Sequence, residues 1–327
     1  MKKVLGMGNA LTDILFRIEN DDILSKLNLT KGGMQLIENT QSEVIKSHFT
    51  PGSATMATGG SASNTINGIS KLGIESGFIG KISDDEIGRF FALNSLENGV
   101  TPYMQKSKTP SGHCTILVSP DSERTLCTFL GAASELNAGD INQHFFEGYH
   151  FFHIEGYLVQ DHDLIRTALK MAKDAGLITS IDLASFNVVN ENLEFLHEII
   201  EKYVDIIFAN EEEAMAFTGK KPAEAVRDMA QMCRIAVVKI GKDGSLIQSG
   251  TDFYDIEPHQ VKSVDTTGAG DFYAAGFLFG LANSYPLEVC GKIGSLVSSR
   301  VVEVVGTKMA KETWDEIAEN VRLLTQN

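Results

Sequence analysis

The chain has 327 residues, of which 43% are apolar and 22% charged, a balance typical of a globular protein. Its formal net charge of −15 argues against a general nucleic-acid binder, which needs a basic face. The four cysteines have no CxxC spacing, and the apolar uncharged stretch of residues 272–287 is too short and too polar to span a membrane. We therefore expect a cytoplasmic protein whose partners are small molecules, with no role in binding nucleic acid or membrane.

Two apolar runs near the start, residues 3–7 and 77–82, are predicted to be buried strands. From about residue 145 onward, further apolar runs alternate with amphipathic segments of helical spacing. The predicted strands are 149–154, 178–183, 204–208 and 235–240, and the predicted helices are 163–175, 192–202, 211–218, 222–234 and one after Gly268. This alternation indicates an α/β fold with a mostly parallel sheet flanked by helices.

Two regions depart from this alternation, residues 14–57 and 101–130. The first is polar and contains no clear strand–helix pair. The second alternates in residues 114–118 and 125–129, which predicts antiparallel strands. We interpret both regions as insertions that form a small β-rich lid on one catalytic domain, residues 1–327. An exposed lid sheet can pair with a second copy, so a homodimer through the lid is an open prediction.

The most informative segment is residues 265–271, Asp-Thr-Thr-Gly-Ala-Gly-Asp, which precedes a long apolar helix. Gly268 and Gly270 allow a tight turn whose N–H groups point outward, and the helix start adds its positive dipole end, so the segment predicts an anion cradle. A carboxylate beside such a cradle suits a base that takes a proton from an attacking hydroxyl, which is the role we assign to Asp271. The alternative is that Asp271 only caps the helix.

Other phosphate-binding patterns are incomplete. No Gly-x4-Gly-Lys-Ser/Thr segment occurs in the chain. The opening Gly6-Met7-Gly8 follows a predicted strand, but Leu11 stands where a dinucleotide-binding fingerprint has its third glycine. A Rossmann-type oxidoreductase is therefore disfavoured.

Five motifs follow one another along the chain. The first is Gly59-Gly60-Ser61-Ala62-Ser63-Asn64, and the second is a block that begins at Gly77, includes Gly88 and ends at Gly99-Val100. The other three are Asn210-Glu211-Glu212-Glu213, Gly241-Lys242-Asp243-Gly244, and residues 265–271. In this order the set resembles the signature motifs of the ribokinase-like (PfkB) carbohydrate and nucleoside kinases, and the resemblance covers nearly the whole chain. It implies a ribokinase-like three-layer αβα fold and an ATP- and Mg²⁺-dependent kinase.

The resemblance also implies a role for individual residues. Asp271 matches the catalytic base. The implied anion hole consists of Gly268, Ala269 and Gly270. The implied nucleotide site consists of Asn210, Lys239, Gly241 and Gly244, and Glu213 is implied to hold Mg²⁺ through water. The implied substrate site consists of Asn9, Asp13, Gly60, Asn64 and Tyr157. Backbone carbonyls of Asp265 and Thr267 match a K⁺ site found in some members. Arg124, in a predicted lid strand, is either a surface charge or lies over the transferred phosphoryl group.

Some of these residues have simpler interpretations. Asp13 can be a loop cap, Asn64 a solvated helix residue, and Tyr157 a buried structural tyrosine instead of a platform for a purine. Lys239, Phe272, Tyr273 and Ser83 depart from the family pattern. Lys239 stands where a threonine is usual, and the bulky Phe272 follows the base, where it can narrow the acceptor or the nucleotide pocket.

The substrate is predicted from local features. The opening motif around Asp13 and the Arg124-Thr125-Leu126 stretch are similar to adenosine kinases, and residues 181–186 lack the Asn and Arg typical of sugar kinases. We expect phosphorylation of a primary hydroxyl of adenosine or a related nucleoside. A kinase of a free sugar such as ribose, fructose or a ketogluconate is the alternative. A catalytically silent nucleoside or sugar sensor is a third possibility, from a different functional class.

Overall fold

A computed structural model describes residues 2–50 and 52–326. The strands are β1 (Val4–Met7), β2 (Leu11–Arg17), β3 (Met34–Leu36), β4 (Thr55–Gly59), β5 (Ser76–Ser83), β6 (Val100–Ser107), β7 (His113–Val118), β8 (Arg124–Phe129), β9 (Phe151–Glu155), β10 (Ile178–Asp182), β11 (Ile206–Asn210), β12 (Ile235–Lys239), β13 (Ser245–Ser249) and β14 (Asp252–Ile256).

The helices carry apolar residues at helical spacing. They are α1 (Asp22–Lys26), α2 (Asn39–Lys46), α3 (Ser61–Lys71), α4 (Glu86–Glu97), α5 (His162–Asp174), α6 (Phe186–Glu191), α7 (Leu193–Tyr203), α8 (Glu211–Thr218), α9 (Pro222–Met232), α10 (Ala269–Ala282), α11 (Leu287–Val301) and α12 (Lys311–Thr325). In α5, for example, Leu164, Ala168 and Ala172 are buried on one face. The Asp161 carboxylate begins that helix by accepting a hydrogen bond from the Leu164 N–H at 2.9 Å.

Nine strands form the large sheet, in the order β14-β13-β12-β11-β10-β9-β1-β5-β6. The strands from β12 to β6 are parallel to their neighbours, and β13 and β14 extend the sheet by antiparallel pairing. Helices cover both faces. Phe152 packs into the apolar cluster that contains Leu169, whereas its neighbour Phe151 packs into the cluster that contains Phe277. The predicted mostly parallel α/β fold is therefore confirmed.

The small sheet has five strands, in the order β3-β8-β7-β2-β4. One face holds its own apolar cluster, which includes Phe16, Leu117 and Cys127. The predicted antiparallel pairing of β7 with β8 is confirmed, while β2 pairs with β7 in parallel, a pairing we did not expect. The opposite face of this sheet looks toward the end of the large sheet.

The small sheet does not have the boundaries predicted for the lid. It begins at Leu11 instead of residue 14, because β2 starts there and pairs with β4. The segment from residue 101 to 107 is not part of it, since β6 pairs with β5 at the edge of the large sheet. β6 is the last strand of that sheet and its residues are mostly half-buried or exposed, so it lacks the apolar run that marks the interior strands, which explains the wrong assignment.

The parallel strands of the large sheet end beside the small sheet. Glu155, Asp182, Asn210 and Lys239 are the last residues of β9, β10, β11 and β12. Carboxyl ends of parallel strands are where open α/β sheets bind ligands. Within the described residues, no helix combines the length and apolar character needed to cross a bilayer.

Candidate active site

A cavity of about 1120 Å³ lies between the carboxyl edge of the large sheet and the inner face of the small sheet. The sequence-predicted residues that line it are Asn9, Asp13, Gly60, Asn64, Arg124, Tyr157, Asn210, Glu213, Lys239, Gly241, Thr267, Ala269, Gly270 and Asp271. A second cavity of about 290 Å³ contains Gly244 in its wall. Lys239, Gly241, Ala269 and Gly270 belong to the walls of both cavities. Gly268 and Asp265 lie just behind these walls.

Asp271 is the third residue of α10, whose N-cap Gly268 has the left-handed φ of 77° that glycine adopts without strain. The N–H groups of this first helical turn have no intrahelical acceptors. Two side chains from α3 hold the carboxylate. Ser61 Oγ donates to Oδ1 at 2.7 Å, and Asn64 Nδ2 donates to Oδ2 at 2.9 Å. Burial raises the pKa of Asp271 to about 7, although both hydrogen bonds oppose the rise.

Asp13 lines the same cavity from β2 of the small sheet. Among the described residues no side chain or N–H group donates a hydrogen bond to its carboxylate. Burial raises the pKa of Asp13 to about 6, and the positive charge of Arg124 opposes the rise. The loop-cap interpretation predicts a local N–H donor, which is lacking in the described part of the chain.

Asn9 and α3 are joined by Glu155, which the sequence reasoning missed. Glu155 Oε1 accepts hydrogen bonds from the Asn9 N–H at 2.9 Å and from Asn9 Nδ2 at 2.6 Å, and Oε2 accepts one from the Ala62 N–H at 2.9 Å. Gly60, with φ of 91°, lies against Asn9, so close that a Cβ there would come within 2.3 Å of the Asn9 carbonyl oxygen. A charged residue at the end of an apolar strand was the available signal for Glu155.

Arg124 is buried, which excludes the surface-charge interpretation. Its Nη1 donates to Asp265 Oδ2 at 2.8 Å, joining β8 of the small sheet to the loop before α10. Asp265 also accepts hydrogen bonds from the N–H groups of Thr267, at 2.9 Å, and Gly306, at 2.7 Å. Burial opposes ionisation of Asp265, but these hydrogen bonds and Arg124 hold its pKa below the usual value.

Asn210 and Glu213 cap α8 reciprocally. Asn210 Oδ1 accepts from the Glu213 N–H at 2.9 Å, and the Glu213 carboxylate accepts from the Asn210 N–H at 2.8 Å and from Asn210 Nδ2 at 2.6 Å. Burial and the nearby Asp182 raise the pKa of Glu213. Each carboxylate oxygen keeps a further lone pair beside the cavity, which fits a water-mediated contact with a cation.

Lys239 forms a second buried ion pair, with Nζ 2.7 Å from Asp182 Oδ2. Burial disfavours the ammonium, but the carboxylates of Asp182 and Glu213 raise the pKa of Lys239 above its ordinary value. Asp182 is another residue that the sequence reasoning did not assign to the site. It ends a buried strand in the same way as Glu155.

Of the two aromatic residues singled out in the sequence, Tyr157 lines the large cavity and Phe272 does not. Tyr157 lines the large cavity with 40% of its surface exposed, and its hydroxyl donates to the Ala184 carbonyl at 3.3 Å, so it is not a buried structural tyrosine. Phe272 is buried against Ile293 and Leu296, and Trp314 lies 6.0 Å away between ring centroids. Phe272 lines neither cavity, and the expectation that it narrows a pocket is therefore wrong.

Comparison with known proteins agrees with this geometry. The sequence profile of the pfkB family carbohydrate kinases matches residues 28–314. A probable sugar kinase from Rhizobium etli is 31% identical, with a TM-score of 0.86 over 98% of each chain. The adenosine kinase from Sinorhizobium meliloti is 32% identical, with a TM-score of 0.85 over 98% of this chain and 99% of its own. A 5-dehydro-2-deoxygluconokinase from Geobacillus kaustophilus is 30% identical over 81% of this chain and 84% of its own. The chain therefore belongs to the pfkB family of carbohydrate kinases and is an ATP-dependent kinase.

Proposed function

We propose that the protein transfers the γ-phosphoryl group of ATP to a primary hydroxyl of a nucleoside, with adenosine as the preferred acceptor. The observation that carries this proposal is the mixed lining of the large cavity, in which a few polar groups stand among many apolar side chains. Asp13, Asn64 and Asp271 supply the polar groups. Apolar side chains of both sheets and their loops form much of the remaining wall, namely Leu11, Leu36, Ile116, Leu126, Leu130, Leu158 and Val188.

This mixed lining suits a nucleoside, which has a polar ribose and a base with two apolar faces. Tyr157 offers an exposed ring for stacking beside these apolar side chains. A free sugar has hydroxyl groups all around its ring, and burying them against leucines leaves them without hydrogen-bond partners. The adenosine kinase among the similar structures supports the same acceptor. The 5-dehydro-2-deoxygluconokinases among the relatives favour the alternative, a small sugar acid or other free sugar.

In the proposed reaction Asp271 takes the proton of the attacking hydroxyl. The hydroxyl oxygen forms the new bond to the γ-phosphorus, the bond from that phosphorus to the bridging oxygen breaks, and ADP leaves. The N–H groups of Gly270 and Asp271 donate to the phosphoryl oxygens at the positive end of α10. Ser61 and Asn64 orient the base.

The residues present fit ATP and Mg²⁺, which kinases of this family use. The second cavity adjoins the start of α10, and hydroxyl and ring groups of Ser263, His259 and Ser295 lie in its wall. Glu213 and Asn210 would hold Mg²⁺ through water, beside the wall that the two cavities share. Bound there, the ion neutralises charge on the phosphate oxygens.

A screen for ADP release over nucleosides, pentoses, ketohexoses and ketogluconates tests the proposal, with kcat/KM measured for each acceptor and Asp271→Asn as the inactive control. Adenosine or a related nucleoside is expected to give the highest kcat/KM. A sugar or sugar acid with a higher value would replace the proposed acceptor with the alternative. Absence of ADP release with every acceptor would favour the sensor.

A further inference from the structure

Lys239 occupies an unusual position in the site. It ends β12, at the carboxyl edge of the large sheet, and its side chain forms part of the wall between the two cavities. Only 14% of that side chain is exposed. A Cβ placed on Gly270 would come within 2.9 Å of Lys239 Nζ, so the ammonium lies directly beside the glycine turn that begins α10.

Lys239 differs from the other buried cation of the site, Arg124, in the carboxylate that holds it. Phosphoryl transfer spreads negative charge over the equatorial oxygens, and side-chain cations stabilise that charge. Arg124 forms an ion pair with Asp265. Asp265 is itself held by the backbone N–H groups of Thr267 and Gly306, behind the cavity wall. Lys239 instead bonds to a carboxylate that lines the acceptor cavity. Its long, flexible stem allows the ammonium to exchange that carboxylate for another oxygen ligand nearby.

We propose that Lys239 is a catalytic residue that contacts the transferred phosphoryl group between the two cavities, with Asp182 as its counter-ion in the free protein. The inference rests on the proposed phosphoryl transfer and adds a residue to it. Lys239 is the neighbour of Asn210 across β11 and β12, so the contact would lie beside the residues proposed to hold Mg²⁺. The opposing interpretation is that Lys239 only neutralises Asp182 and thereby stabilises the fold.

A double-mutant cycle separates the two interpretations. Lys239→Met removes the charge and keeps much of the stem, and Asp182→Asn removes the counter-ion. The Lys239→Met change is then compared in the wild-type and in the Asp182→Asn background. Because the double variant buries neither charge alone, it is expected to fold even if Lys239→Met unfolds the protein. We expect Lys239→Met to lower kcat by about 10²–10³-fold in both backgrounds. A loss confined to the wild-type background would overturn the proposal.

A binding measurement tests the same contact without an acceptor. Calorimetry with ADP and with a non-hydrolysable ATP analogue, in the Asp182→Asn background, is expected to show that Lys239→Met weakens the triphosphate far more than the diphosphate. Equal weakening of both ligands, or of neither, would contradict a contact with the γ-phosphoryl group. If no nucleoside is phosphorylated but the triphosphate is selectively weakened, the proposed acceptor is wrong and the role of Lys239 stands.

Discussion

Asp13 and Asp271 line the same cavity and differ in their hydrogen-bond partners. Burial raises the pKa of both, to about 6 and about 7 respectively. Asp271 is held by Ser61 and Asn64, whereas no hydrogen-bond donor to Asp13 is present in residues 2–50 and 52–326. An unpaired buried carboxylate has a strong tendency to bind a donor, and a carboxylate held on both oxygens is fixed in direction. The difference supports the proposal that Asp13 binds the acceptor and that Asp271 acts as the base.

The largest effect is expected for Asp271→Asn. The amide keeps the shape and a contact with Ser61 or Asn64, but it cannot take the hydroxyl proton, so kcat should fall by about 10²–10⁴-fold. Steady-state rates with the acceptor identified by the ADP-release screen measure the loss, and calorimetry with ATP checks that nucleotide affinity is largely retained. A variant with more than about half of the wild-type rate would show that Asp271 only caps α10.

Asp13→Ala should have a smaller and more selective effect. Loss of a charged hydrogen bond to a substrate hydroxyl costs about 1.5–3 kcal/mol, or about 10–100-fold in acceptor KM, with little change in the KM for ATP. Asp13→Asn is the matched control, since it keeps the size and one acceptor oxygen but not the charge. A raised KM for ATP beside an unchanged KM for the acceptor would contradict the role proposed for Asp13.

The raised pKa values also predict a pH dependence of stability. Folded Asp271 keeps a proton from its ordinary value of 3.8 up to about 7, while the unfolded chain has released it, so the stability of the protein falls as pH rises through this window. Asp271→Asn removes that dependence, and its free energy of unfolding relative to the wild type should increase from about pH 4 to about pH 7. For Asp13→Asn the increase should stop nearer pH 6. Urea titrations at several pH values measure both, and a difference that does not change with pH would contradict the shifts.

The smallest effect concerns K⁺. Val264 and Asp265 donate backbone hydrogen bonds to the Val302 carbonyl, which places the loop before α10 against the segment that follows α11. Carbonyls of Asp265 and Thr267 are the predicted ligands, and an ion there would support the start of α10 without touching the acceptor. We expect kcat to be higher in K⁺ than in a bulky organic cation at equal ionic strength, with less change in acceptor KM. An unchanged kcat would remove K⁺ from the mechanism.

The fold could be predicted where local pattern and burial agree. Strands such as β9 and β10 are buried on both faces. Their apolar runs can be recognised in the sequence because helices cover both faces of the sheet. Strands at or near the edges of a sheet are harder to predict from sequence. β6 was assigned to the wrong sheet, and β13 and β14 were not predicted, since their pairing is antiparallel and β14 is largely exposed.

The site could be predicted only as far as its motifs reach. Asp271, Gly270 and Asn64 stand in recognisable segments, and the structure brings them together. The partners that hold them are far apart in sequence: Arg124 meets Asp265 across 141 positions, and Lys239 meets Asp182 across 57. No local spacing encodes such pairs, because they depend on which strand ends share an edge of the sheet.

The wall that the two cavities share bears on whether the phosphoryl group is transferred in one displacement or in two. Lys239, Gly241, Ala269 and Gly270 border both cavities, so we expect donor and acceptor to meet there and the phosphoryl group to pass directly between them. A single in-line displacement inverts the configuration at phosphorus, whereas two displacements through a phosphorylated enzyme retain it. With a γ-phosphorus made chiral by oxygen isotopes and sulfur, the product should have inverted configuration, and initial-rate lines for the two substrates should intersect instead of running parallel.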